Sequence, residues 1–188
     1  MSRLLSLALV FGALALAPAF AQDGKPAPVS PEPGESTATY GDWILRCQRI
    51  GEAGKAVKIC EIVQTVQGGQ EGHRQPVAQL AFGRLKLTDP WRVTAHLPSN
   101  ILLPGMVKFA LGDNDPQPME LPWRRCIPQG CFADAALGDA QWKALLARGE
   151  NGSLEFTDGL ARPAKLPISF RGFAQAGEAL AKEQLTGH

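Results

Sequence analysis

The sequence predicts a mainly β fold, an antiparallel β-sandwich of immunoglobulin-like or jelly-roll-like type with two short peripheral helices. Three observations carry that expectation. Apolar and polar residues alternate in short runs, as in Trp43-Leu45-Cys47 and Trp91-Val93-Ala95-Leu97, which is the period of a half-buried strand. Proline and glycine, 15 and 20 in number, punctuate nearly every gap between those runs. Helical spacing shows in two stretches near the C-terminus.

The first apolar run lies outside that fold. Arg3 precedes LLSLALVFGALALAPAFA, which ends in the small-x-small site Ala19-Phe20-Ala21. This is the pattern of a secretory signal peptide over residues 1–21, cleaved after Ala21. Pro18 and the short span argue against an uncleaved anchor. The first cysteine is Cys47, too far from the cleavage site for a lipoprotein anchor. The mature chain is therefore expected to begin at Gln22 and to be periplasmic or secreted. Residues 22–39, QDGKPAPVSPEPGESTAT, hold four prolines and a single large apolar side chain, Val29. Such a segment reads as a Pro-rich disordered linker, which leaves residues 40–185 for one β-sandwich domain.

Within the domain, Gly41–Cys47 and the β-branched run Val57–Val66 flank a polar turn and form an expected hairpin. Further strands are expected at Pro76–Phe82, Trp91–Leu97, Met106–Leu111, Met119–Cys126, Cys131–Leu137, Ser153–Asp158 and Ala164–Phe170, with a short run at Arg84–Thr88. The first helix is expected over Asp139–Arg148, with Asp139 as its cap, Trp142, Leu145 and Leu146 at helical spacing, and Gly149 as its stop. The second, Gly172–Gln184, places Phe173, Ala176 and Leu180 on one side. Gly177 within it would cost about 1 kcal/mol relative to alanine.

An exported chain meets oxidising conditions, so its four cysteines are read first as disulfides. Cys47 ends one strand of the expected hairpin and Cys60 lies in its partner, where facing residues come within disulfide range. Cys126 and Cys131 flank Ile127-Pro128-Gln129-Gly130, in which proline fixes φ and glycine allows positive φ, as a tight turn requires. Two local bridges follow, Cys47–Cys60 and Cys126–Cys131. A structural zinc site would want matched short spacings with histidine near them, and a redox dithiol would want C-x-x-C. Neither pattern is present.

Removal of Arg3 with the signal would equalise the chain's 19 basic and 18 acidic residues. Neutrality gives no support to nucleic-acid binding or to a polybasic membrane surface. No apolar run after residue 21 reaches spanning length, so no membrane span is expected once the signal is cleaved. His73, His96 and His188 are scattered, and no nucleophile elbow, zincin helix or phosphate loop appears. Asp113, Asn114 and Asp115 lack the glycine and distal glutamate of a calcium loop and read as a turn. In Trp123-Arg124-Arg125, alternation should place Trp123 and Arg124 on opposite faces. No catalytic, metal or cofactor-binding residue is assigned.

Trp43 with Cys47, then Cys60, Pro98, LLPGMVKFALGD (102–113), RRCIPQGCFAD, the Trp142–Leu146 helix and LPISFRGFAQAGEAL (166–180) together resemble the invasion-associated locus B (IalB) family. The resemblance runs from about Tyr40 to Leu185. It implies an exported bacterial β-sandwich protein without cofactor or catalytic residues, in a family named for host-cell invasion. The function expected on that basis is protein–protein binding, with an unknown protein partner in the envelope or on a host cell. A periplasmic structural or chaperone-like accessory is the second reading, and a hydrolase or metal-dependent enzyme the third.

Overall fold

The computed structural model describes residues 34–186, apart from 53–54, 69–72, 113–114 and 150. The expected signal peptide, most of the expected linker, Asp113, Asn114 and His188 lie outside the described residues. Ten strands and two helices follow in the order β1 (Glu35–Tyr40), β2 (Trp43–Ile50), β3 (Val57–Gly68), β4 (Gln75–Gly83), β5 (Trp91–Leu97), β6 (Met106–Leu111), β7 (Met119–Ile127), β8 (Gly130–Leu137), α1 (Asp139–Leu146), β9 (Gly152–Thr157), β10 (Pro163–Ile168) and α2 (Phe173–Thr186). All pairings between strands are antiparallel, in the order β1-β2-β3-β4-β5-β8-β7-β6-β9-β10. The order β5-β8-β7-β6 is a Greek key, because the hairpin-linked strands β6, β7 and β8 fold back to bring β8 beside β5.

Strand β7 serves both halves of the sheet. Its first residues, Met119–Pro122, pair with β6, whereas Trp123 and the residues after Arg124 pair with β8. A register shift between Trp123 and Arg125 marks the crossing, as a bulge does where a strand turns from one layer to the next. The fold is thus mainly β and sandwich-like, an open sheet turned over on itself.

The alternation seen in the sequence becomes the core. Trp43, Leu45 and Cys47 of β2, Phe82 of β4, and Trp91, Val93, Ala95 and Leu97 of β5 are all buried. Phe82 sits at the centre of an aromatic cluster, with ring centroids 5.7 Å from Trp43, 6.0 Å from Phe109, 5.8 Å from Trp142 and 5.2 Å from Phe173. Helix α2 supplies Phe173, Ala176 and Leu180 to this core, and α1 supplies Trp142 and Leu145. Gly177 pays its helical penalty for a steric reason, since a Cβ there would collide with Leu146 Cδ2 and crowd Trp142 of α1.

Three expectations need correction, and a bulge adds a fourth departure from simple strand alternation. Residues 35–39, read as the end of the linker, form strand β1 along β2. Its Ser, Thr and Ala side chains lack the large apolar alternation that marks a strand in sequence, and pairing with β2 supplies the order instead. Arg84–Thr88 is a turn rather than a strand, because Arg84 Nη1 bonds Leu87 O at 3.0 Å and Asp89 Oδ2 accepts from Lys86 N at 3.2 Å. Asp139 is the first helical residue of α1. The cap is Gly138, whose N–H donates to Gln141 Oε1 at 2.9 Å. The bulge in β7 puts Arg125 on the same outer face as Arg124, where strict alternation would have returned it to the side of Trp123.

Candidate binding surface

The residues that chemistry singles out are spread over the domain. His73 is exposed beside β4, and His96 is half-buried on the outer face of β5. Asp115 is consumed by its turn, with Oδ2 accepting from Leu111 N at 2.9 Å and Oδ1 from Gln117 N at 3.0 Å. Cys47 is bonded to Cys60 and Cys126 to Cys131, and no described cysteine is free. The Cys47–Cys60 sulfurs have Glu183 of α2 beside them, the one grouping of metal-type donors among the described residues. Both sulfurs are spent in a bond to each other, so they offer no thiolate to a metal.

A groove of about 430 Å³ opens on the outer face of β3, β4 and β5, floored by Ala81 and Gly83. Its charged rim is committed elsewhere. Arg84 lies 4.4 Å over the Trp91 ring and donates to Gln184, Glu61 pairs with Arg46 at 2.6 Å, and Arg92 pairs with Asp134. No nucleophile and base converge there.

A different region gathers exposed apolar side chains. Strand β5 ends at Leu97, which pairs with Cys131 of the β7–β8 hairpin. The hairpin tip carries the exposed Ile127, and His96 Nε2 lies 3.2 Å from the carbonyl oxygen of Gln129 in the same tip. On the outer face the His96 and Phe132 rings stack at 4.4 Å, and the Arg125 guanidinium carbon lies 5.1 Å from the centre of the Phe132 ring. From Leu97 the chain runs across the end of the fold to β6, exposing Leu102, Leu103 and Met106. Leu160, in the β9–β10 turn, is 68% exposed.

Backbone bonds hold this region in shape. Leu102 N donates to Thr157 O at 3.0 Å, Gly159 N donates to Asn100 O at 3.2 Å, and Ile101 bridges Asp158. Asp158 ties the turn under Leu160, its Oδ1 accepting from Leu160 N and Arg162 N, each at 2.9 Å. Hydrogen bonds from the Arg162 side chain first, and then from these backbone groups, hold the Asp158 carboxyl below the usual carboxylate range. The result is a braced end carrying Leu102, Leu103, Met106 and Leu160, a grouping of the kind that marks interaction sites. The sequence signal was the run Ile101-Leu102-Leu103-Pro104, apolar yet without strand alternation and placed between two strands.

Comparison with known proteins fits this geometry. The model of the family described as Invasion associated locus B (IalB) protein matches residues 43–181. The chain belongs to that family. Two proteins of Brucella abortus, from strain 2308 and from biovar 1 strain 9-941, each named an invasion protein B homolog, are 29% identical to it over 184 residues, covering 93% of this chain and 92% of each relative. The crystal structure of invasion associated protein B from Bartonella henselae superposes with a TM-score of 0.63 over 80% of this chain and 99% of that one. At 22% identity that likeness speaks to the fold. The family is named for invasion and not for a reaction. Its match begins at Trp43, the first residue of β2, and ends within α2, so it spans the aromatic core and both disulfides.

Proposed function

We propose that this is an exported, non-catalytic member of the family, which acts by binding a protein partner in the envelope or on a host cell. Its signal peptide, residues 1–21, is cleaved after Ala21, and the mature chain works in the periplasm or beyond it. Two disulfides suit an oxidising compartment, and no described helix is long and apolar enough to cross a membrane. The observation that carries the binding reading is the braced display of Leu102, Leu103, Met106 and Leu160. Exposed leucines are common singly, but a stable chain gains nothing by fixing several of them at one end unless something covers them.

Cross-linking in the native cell, followed by identification of the captured protein, tests this reading. A discrete partner that is lost when Leu102, Leu103 and Leu160 are changed to serine is the expected outcome. N-terminal sequencing of the exported form is expected to start at Gln22. A chain that keeps Met1–Ala21 and sediments with membranes contradicts the export half of the proposal.

A further inference from the structure

The two edges of the open sheet differ in a way the sequence does not announce. Hydrogen-bonded pairs alternate along an antiparallel ladder, so one bond fixes which residues face inward and which face out. At the β10 edge, Asp158 N donates to Arg162 O, which makes Arg162 and then Ala164, Leu166 and Ile168 the residues bonded toward β9. The outward positions are Pro163, Lys165 and Pro167. Two of those three have no N–H to offer and the third is lysine, which is how natural sheets blunt an edge.

At the β1 edge, Arg49 N donates to Gly34 O at 2.9 Å, so Gly34, Ser36, Ala38 and Tyr40 face β2. Glu35, Thr37 and Thr39 turn their N–H and C=O groups outward. No described residue satisfies those groups, and the edge has neither proline nor lysine to guard it.

We propose that this edge pairs with β1 of a second copy, joining two sheets across a two-fold axis at Thr37. The outward set fixes the register. Thr37 faces Thr37 of the second copy and Glu35 faces its Thr39, each as a hydrogen-bonded pair. Thr37–Thr37 is a favourable β-branched cross-strand pair. The one charge in the strand, Glu35, lies roughly 14 Å from its symmetry mate at about 3.4 Å per residue, beyond the screening length of about 8 Å at physiological salt. On the inner face Ser36 meets Ala38, both too small to obstruct the join. The chain's formal net charge of +1 sets up little repulsion between copies. Because the prolines block β10, pairing through β1 uses up the open edge and stops at a closed dimer. The inference stands whether or not the apolar end binds a partner.

Sedimentation of the mature exported protein from micromolar to millimolar concentration is expected to show the mass rising from one chain to two. Thr37→Pro removes the central outward N–H while leaving the bonds to β2, and is expected to weaken dimerisation at least tenfold with little change in melting temperature. Thr37→Val, which keeps the N–H and the branched side chain, is expected to dimerise like the wild type. In a second arm, Thr37→Cys places two thiols at facing Cα positions about 5.5 Å apart, within disulfide range, and is expected to cross-link between chains on mild oxidation. Thr39→Cys places them roughly 14 Å apart and is expected not to. A mass of one chain at millimolar concentration, or a foreign strand held there by a monomer, overturns the proposal. So does Thr39→Cys cross-linking as readily as Thr37→Cys.

Discussion

Two hairpins of this domain are closed by the same bond and serve different ends. In the β2–β3 hairpin, Cys47 and Cys60 are 4% and 3% exposed, face each other in register and lie within the core, with Glu183 of α2 beside the sulfurs. In the β7–β8 hairpin, Cys131 is buried against the end of β5 while Cys126 is exposed, one residue from the tip. The first staple holds the wall on which Trp43, Leu45 and Ile62 are mounted. The second holds the shape of a surface that also carries His96, Phe132 and Ile127. A disulfide's contribution therefore has to be judged by what its hairpin supports, since the bond itself is the same.

Chain entropy sets the size of the contrast. Replacing both Cys47 and Cys60 by serine opens the longer loop and is expected to cost about 3 kcal/mol, read from denaturant unfolding. Opening Cys126–Cys131 in the same way is expected to cost about 2 kcal/mol while abolishing partner capture at a temperature where the variant remains folded. If the second variant lost more stability than the first, or kept its partner, the division of labour between the staples would be wrong.

A parallel contrast exists between two aspartates. Asp42 joins the β1–β2 turn to the entry of α2, accepting from Arg171 Nε at 3.0 Å and from Ser169 Oγ at 2.6 Å, with Asp42 N bonded to Arg171 O at 3.0 Å. The Arg171 hydrogen bond, followed by that of Ser169, lowers its pKa below the ordinary 3.8. A depressed native pKa adds stability that is complete above the unfolded value and fades as pH falls through the native one. Asp42→Asn is therefore expected to destabilise at neutral pH, with the gap from wild type closing below about pH 4 in acid-unfolding curves. A gap that widened on acidification would contradict this account. Asp158→Ala, by comparison, removes only the brace beneath Leu160. It is expected to leave the melting temperature nearly unchanged and to weaken partner capture, measured by pull-down beside thermal melts. Smallest of all, His73→Ala is expected to change neither folding nor capture, because its exposed imidazole lies beside β4, outside the apolar end.

Much of this was legible in the sequence because it rests on local pattern. Period-two alternation located β2 and β5, and turn chemistry between Cys126 and Cys131 located the β7–β8 hairpin. What stayed hidden depends on partners distant in sequence. Strand β1 has no apolar signature and is ordered by β2. Phe173 reads as one residue on a helix face, yet it lies 4.9 Å from Trp43 and 4.8 Å from Phe170, deep in the core. The bulge that turns Arg125 outward arises from β7 serving two neighbours. The run Ile101-Leu102-Leu103-Pro104 is visible in the sequence, but its meeting with Leu160 is not, since backbone bonds from Leu102 to Thr157 and from Gly159 to Asn100 bring the two to one place.

The central claim is that the braced apolar end, separate from the stapled core, is what this protein uses. In-cell cross-linking of the variant carrying Leu102→Ser, Leu103→Ser and Leu160→Ser, with thermal melts run in parallel, tests it most directly. The account predicts a melting curve like that of the wild type, since exposed positions usually shift stability by no more than about 0.5 kcal/mol each, together with loss of the captured partner. An unchanged cross-linked partner in a fully folded variant would contradict it.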